Sequence, residues 1–175
     1  MLLNINITQE EKNIIENFIH IDDCKYLINH FDSNENKTWN NRKEFSHRTL
    51  HFDDMDNLTQ QLLLYYQIKL KFFIEHFYNC HLSNWNKPEI CRWLKGESMP
   101  MHGDNANGID DMNYSSIIYL NNDYKGGEIQ FSDKNKYRLN AGSVIFFNSD
   151  KYNFHGVLEI IDGKRYTIPL WFKKL

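Results

Sequence analysis

Cysteine is scarce: Cys24, Cys80 and Cys91 are the three in 175 residues, far apart and with no Cys-x-x-Cys pair. That spacing argues against a disulfide framework and a zinc ribbon, and reduced thiols in a cytoplasmic protein are expected. Long hydrophobic runs are missing too. None approaches the roughly 18 apolar residues of a membrane span, so no membrane partner is expected. The opening "MLLNINITQEEKN" has a short apolar run without a basic flank or a small-residue cleavage site, and it does not read as a signal peptide. Charge of one sign is also lacking. The formal net charge is −3, and the dense basic stretches are as short as Lys164-Arg165 and Lys173-Lys174. No basic stripe marks a nucleic-acid partner.

What is present is a globular composition. Hydrophobic residues make up 41% and aromatics 15% of the chain, enough for one sizeable core in a chain of single-domain length. One domain over 1–175 is expected, helical over 1–80 and β-rich over about 88–173. Thr8-Gln-Glu-Glu11 has capping-box spacing ahead of "KNIIENFI", and Cys24, Leu27, Ile28 and Phe31 recur at helical spacing in "IDDCKYLINHF". Residues 33–47 are polar and irregular, a loop or a lid, and "FSHRTLHF" alternates as a strand does. Residues 56–79 predict the strongest helix, with Leu63, Tyr66, Leu70, Phe73 and Phe77 on one face. His76 beside that face reads as structural or surface rather than as a ligand. After Pro88 the runs "EICRWL", "SSIIYL", "GEIQF", "SVIFF", "GVLEII" and "RYTIPLWF" are short, β-branched and aromatic, with Asn, Asp, Gly and Ser between them. Helices first and strands after predict an α+β chain with helices packed on one side of a β-barrel-like core. Pro169 lacks a donor for the sheet ladder, so an edge or a bulge is expected there.

The stretch "MPMHGD", 99–104, sets His102 and Asp104 two residues apart. At a strand end such side chains share a face, so an imidazole nitrogen and a carboxylate oxygen can take adjacent corners of one metal ion. The alternative is a polar turn with an incidental histidine. His155, in "NFHGVLEI", is the natural third ligand. Two histidines and one carboxylate, leaving three cis positions open, are the ligand set of non-haem Fe(II) oxygenases. Arg165 follows on the next β run, and its planar fork grips a carboxylate bidentately. Thr167 and Trp171 share its strand parity, Lys164 faces the other way, and Tyr119 can add a phenol hydrogen bond. Two other classes stay open: a cupin-like module that binds metal or a small molecule without turnover, and a zinc hydrolase using an activated water. Arg165 and Tyr119 have no required role in a metal-water hydrolase, and the binding module predicts metal binding without succinate.

Taken in order, "WLKG", "MHGD", "IIYLNNDYKGGEIQF", "RLNAGSVIFFNSD", "FHGVLEI" and "GKRYTIPLWF" resemble the Fe(II)- and 2-oxoglutarate-dependent dioxygenases, in particular the prolyl 4-hydroxylase-like branch, over residues 90–172. The resemblance implies a double-stranded β-helix, or jelly roll. It implies His102, Asp104 and His155 as iron ligands and catalytic centre, Arg165 for the 5-carboxylate of 2-oxoglutarate with Tyr119 and Thr167 beside it, and Trp171 as pocket wall. Gly126-Gly127 would make a tight turn. Trp93 stands near a place where many relatives carry tyrosine, and with Asn105 it is assigned to the substrate side. The implied reaction couples decarboxylation of 2-oxoglutarate to succinate with hydroxylation of a substrate C–H. Fe(II), 2-oxoglutarate and dioxygen are the implied cofactors, with ascorbate as an optional reductant. Asp104 argues against a halogenase, in which a small residue replaces the carboxylate. Peptidyl proline leads as substrate, followed by a free amino acid or another small molecule, and a monomer is expected. Residues 33–47 and 105–114 flank the expected entrance as candidate lids. Asp110 and Asp111 either greet a basic substrate or belong to a solvated loop.

Overall fold

The computed structural model describes residues 5–6, 12–40, 47–105, 112–150 and 152–175. Strands β1 (Ile5–Asn6) and β2 (Lys12–Ile15) precede helix α1 (Ile21–Ser33). Strands β3 (Trp39–Asn40) and β4 (Arg48–Leu50) lead to helix α2 (Asn57–Tyr78). Then come β5 (Leu82–Asn84), β6 (Ile90–Leu94), β7 (Met99–His102) and β8 (Tyr114–Tyr119). The remainder is β9 (Lys125–Gly126), β10 (Ile129–Phe131), β11 (Lys136–Tyr137), β12 (Val144–Asn148), β13 (His155–Val157), β14 (Ile160–Asp162) and β15 (Lys164–Lys174). Among the described residues no helix is long and apolar enough to cross a membrane.

Two facing sheets form a double-stranded β-helix. The larger runs β1-β2-β12-β8-β15-β6-β4-β3, with β5 on the far end of β15, and the smaller runs β11-β10-β13-β7. Strand alternation divides the larger sheet cleanly. Tyr166, Ile168, Leu170 and Phe172 of β15 enter one core with Leu27 and Phe31 of α1 and Leu63 and Leu70 of α2. The opposite face sends Tyr119, Ile145 and Phe147 against Ile129 and Phe131 of the smaller sheet. Each of these fully buried side chains contributes about 1.5–3 kcal/mol relative to exposure. The helices therefore brace one face, and the other face is left for the site.

Helix α2 begins where its cap dictates: the Asp56 carboxylate accepts from the Thr59 N–H at 2.8 Å. It stops at Asn79, whose φ of 48° is left-handed and whose N–H bonds Glu75 O. Its inward stripe is Leu63, Tyr66, Gln67, Leu70 and Ile74. Phe77 lies at the margin of that stripe, half-exposed, with its ring edge-on to Phe146 at 5.7 Å.

The helix expected over "KNIIENFI" is not formed, and the expected helical part over 1–80 contains four strands as well. Thr8-Gln-Glu-Glu11 lies outside the described residues. Lys12–Ile15 is a strand because it completes the edge of β12, pairing Val144 with Ile15 and Phe147 with Lys12. Ile15 then enters the helix-side core while Ile14 packs on the opposite face. Helix propensity is a weak preference, and tertiary pairing of β-branched residues overrides it.

Pro169 sits in a central strand, opposite Ile117 of β8. The carbonyls of Tyr166 and Phe172 accept on the β8 side, whereas Trp171 O accepts from Trp85 N on the other flank. By alternation Pro169 faces that other flank, between the stretch of β15 paired with β6 and the stretch paired with β5. Its missing donor falls where the ladder is already interrupted.

Gly126 and Gly127 form the expected turn, with φ of 74° and 67°. A Cβ on Gly127 would lie 2.3 Å from Ile160 Cδ1 and 3.2 Å from both Arg165 Cδ and Tyr124 Cε2. The turn thus brings backbone against the base of Arg165.

Candidate metal centre

His102 ends β7 and His155 begins β13, and these residues are directly opposite in the antiparallel pair. Pairing alone therefore brings the rings to 4.6 Å between centroids. Each Nδ1 lies 3.0 Å from the carbonyl of the second residue before it, Pro100 for His102 and Asn153 for His155. A carbonyl only accepts, so Nδ1 carries the proton and the Nε2 lone pair of each ring is the one free to ligate. Asp104 meets both: its Oδ1 is 3.6 Å from His102 Nε2 and its Oδ2 is 3.7 Å from His155 Nε2. Ligand atoms of these three residues all lie within 4.8 Å of one another, a spacing one metal ion can bridge.

Ser115 of β8 fixes the carboxylate. Its hydroxyl donates to Asp104 Oδ2 at 2.5 Å and lies 2.6 Å from the hydroxyl of Ser149, itself buried. Asp104 is therefore tied to the larger sheet while the histidines sit on the smaller one. Burial opposes the Asp104 charge, but His102, His155 and Ser115 outweigh it and hold the carboxyl at about 2. Burial pushes His155 down, which favours the neutral ligand form. His102 is shifted up: burial works against its charge, and Asp104 and the Pro100 carbonyl prevail.

A second group of polar side chains lies on three neighbouring strands. Arg165 of β15 is opposite Trp93 of β6, and Tyr119 of β8 is opposite Thr167. Arg165 is 1% exposed, yet its Nε and Nη2 have no hydrogen-bond partner. The hydroxyls of Tyr119 and Tyr124 and the Trp93 indole N–H are also buried and unpartnered. The guanidinium lies 4.9 Å from the Tyr119 ring centroid and 5.7 Å from that of Trp93. A buried cation surrounded by unused donors is costly unless an anion completes it. The donor set fits the distal carboxylate of 2-oxoglutarate, and the His/Asp/His set fits Fe(II) with positions to spare.

Trp93 departs from its substrate-side assignment. It is buried beside Arg165 and stacks on His47 at 4.2 Å, so it belongs to the anion pocket. Thr167 is buried on the Arg165 face as expected. Asn105 is half-buried with an unpartnered Oδ1 directly after Asp104. Residues 106–111, including Asp110 and Asp111, and 41–46 of the other candidate lid lie outside the described residues. Trp171 lines a cavity of about 470 Å³ with Asp104, Trp85, His51, Phe52 and Glu89. That cavity reaches the centre at Asp104.

The sequence reading passed over His47, Ser115, Ser149 and Tyr124. Ser115 was the accessible one: it shares strand parity with Tyr119 on β8. His47 carries a consequence for stability. Burial first, and then the Arg165 charge, push it down to about 4 from 6.5. The unfolded chain then binds the proton first as pH falls from 6.5 towards 4, and stability is lost over that window, by about 2 kcal/mol at pH 5. Thermal melts should show His47→Phe losing about 4–8 °C less than the parent between pH 7 and pH 5. Equal losses would remove His47 from the account.

Comparison with known proteins agrees with this geometry. Residues 88–173 match the 2OG-Fe(II) oxygenase superfamily. Over that stretch the chain belongs to that superfamily. The oxygenase is 32% identical over 94 residues to human prolyl 3-hydroxylase 2, a match covering 43% of this chain and 13% of the human protein. The chain therefore spans a small part of the curated relatives it matches. Among solved structures, viral collagen prolyl hydroxylase from Paramecium Bursaria Chlorella virus-1, in complex with 2OG, superposes with a TM-score of 0.76 at 19% identity, covering 95% of this chain and 97% of that one. The prolyl hydroxylase from Trichoplax adhaerens, in complex with a hypoxia inducible factor peptide fragment, superposes with a TM-score of 0.76 at 17% identity, covering 93% and 83%. These likenesses agree with the two-sheet fold.

Proposed function

We propose that this oxygenase hydroxylates peptidyl proline, with 1–175 acting as one catalytic domain. In this reading His102, Asp104 and His155 hold Fe(II), and Arg165 with Tyr119 holds the distal carboxylate of 2-oxoglutarate. The observation that carries it is the buried, unpaired Arg165 on the sheet face that also carries Ser115, the residue anchoring Asp104. A metal-water hydrolase gives that arginine no task, and a passive cupin-like module would bind metal and anion without releasing succinate. Bound together, iron and 2-oxoglutarate supply the oxidative decarboxylation, to succinate and carbon dioxide, that accompanies oxygen insertion into a C–H bond.

The chain's own residues do the rest. Ser115 holds one carboxylate oxygen of Asp104. The two backbone carbonyls hold each imidazole in the tautomer that presents Nε2. The cavity beside Trp171 and Trp85 offers apolar walls for a substrate ring and leads to Asp104. Peptide complexes and prolyl hydroxylase activity are named for the relatives, which supports a peptide over a free amino acid. A monomer in the cytoplasm, with ascorbate as accessory reductant and no nucleic-acid partner, completes the reading; the three free cysteines favour a reducing compartment.

The test has two steps. Anaerobic protein loaded with Fe(II) and 2-oxoglutarate should show a visible charge-transfer band. In air, a proline-containing peptide should then raise succinate release and gain one oxygen atom, with the ring carbon assigned by NMR. Iron binding without the band would refute the cosubstrate reading. Succinate release that no proline peptide stimulates would refute the substrate.

A further inference from the structure

Tyr124 is one of the buried donors around Arg165, yet the proposed function gives it no task of its own, and it lies outside the regular strands. It is 2% exposed and packs with Trp93, Val157 and Ile160 between the two sheets. The Arg138 guanidinium covers its ring at 5.1 Å and donates to the Tyr124 and Asn122 carbonyls, which fixes the residue from outside. Gly127 leaves room for it: a Cβ there would approach both the Tyr124 ring and Arg165 Cδ to 3.2 Å. The Tyr124 hydroxyl is set beside Arg165 within the pocket, and it is buried without a well-formed hydrogen bond.

Counting donors gives this tyrosine a task. A carboxylate offers about four lone-pair sites, and burying it demands that they be filled. Arg165 brings two unpartnered N–H groups, Nε and Nη2, and Tyr119 brings one hydroxyl. One site is left over, with two unpartnered donors near it, the Tyr124 hydroxyl and the Trp93 indole N–H; the guanidinium faces the Trp93 ring, whose N–H lies in the ring plane, which favours the tyrosine. We propose that Tyr124 is the fourth donor, a second phenol that binds the same distal carboxylate opposite Tyr119 and makes the pocket selective for 2-oxo acids carrying a terminal carboxylate. The inference rests on the cosubstrate reading of Arg165. It follows that the pocket discriminates through two neutral hydroxyls in addition to one cation, so a partial loss of affinity is expected when either hydroxyl is removed.

The experiment is calorimetric, on anaerobic Fe(II)-loaded protein, with 2-oxoglutarate and with 2-oxobutyrate, which lacks the terminal carboxylate. Tyr124→Phe keeps the ring under Arg138 and should fold as the parent does. It should weaken 2-oxoglutarate binding about tenfold, as loss of one hydrogen bond to a charged group does. Binding of 2-oxobutyrate and of Fe(II) should stay within twofold. Unchanged 2-oxoglutarate affinity, or an equal loss for both oxo acids, would overturn the assignment. So would a Trp93→Phe variant that takes the whole loss, which would make the indole the fourth donor. Should the parent bind no 2-oxoglutarate, the reading of Arg165 fails and this inference fails with it. Should Arg165→Met lose 2-oxoglutarate while Tyr124→Phe does not, only the Tyr124 inference falls.

Discussion

Asp104→Ala is expected to abolish hydroxylation and to weaken Fe(II) binding by at least about 100-fold, more than loss of a supporting residue around a metal ligand costs. The reason is arithmetic of ligands. Without the carboxylate, His102 and His155 remain as two neutral donors, and a divalent ion loses its one charged partner. The fold should survive, because Ser115 keeps its 2.6 Å contact with Ser149 and the histidines keep their carbonyl anchors. Calorimetry with Fe(II) or Co(II), alongside circular dichroism, checks both halves. Parent-like metal affinity in the folded variant would remove Asp104 from the centre.

Arg165→Met should produce a contrast between binding and stability. Two hydrogen bonds from a cation to a carboxylate are worth roughly 3–4 kcal/mol, so 2-oxoglutarate affinity should fall about 100- to 1000-fold while Fe(II) affinity holds. Stability of the ligand-free protein should be unchanged or higher. The arginine is 1% exposed with two N–H groups unpartnered, and an apolar side chain of similar length removes that burden. In the parent, 2-oxoglutarate at 100 times its Kd should raise the melting temperature by roughly 5–10 °C, from about 2.7 kcal/mol of linkage. In the variant that rise should vanish. A destabilised ligand-free variant, or an undiminished rise, would contradict the role given to Arg165.

The sequence was most legible where one local rule sufficed. Two-residue periodicity put Arg165, Thr167 and Trp171 on one face of β15 and Lys164 on the other, and apolar residues at three-and-four spacing placed α2 almost to the residue. The centre was legible because His-x-Asp at a strand end and a later histidine supply, in order, the ligand set of a known chemistry; the pairing of β7 with β13 that joins them is long-range. What failed was the beginning. Lys12–Ile15 has the local look of a helix start, and only the bare edge of β12, more than a hundred residues away, makes it a strand. Trp93 failed for a related reason. Its partner across the ladder is Arg165, and that pairing of β6 with β15 cannot be read from either segment alone. Tyr124 lies in a connection with no period at all, so nothing local marked it.

Pro169 has a consequence for how this enzyme can change. The gap it guards on one flank of β15 is crossed by Trp85-Asn86-Lys87, and the Asn86 side chain accepts from the Trp171 N–H at 3.1 Å. Those residues line the cavity that leads to Asp104. A strand cannot zip across a position with no N–H, so the break in the ladder at Pro169 is written into the backbone rather than held by side chains. The walls are then free to vary. Exchanging Trp85, Phe52 or Glu89 should then reshape the cavity that reaches Asp104 without disturbing the ladder or the three candidate ligands.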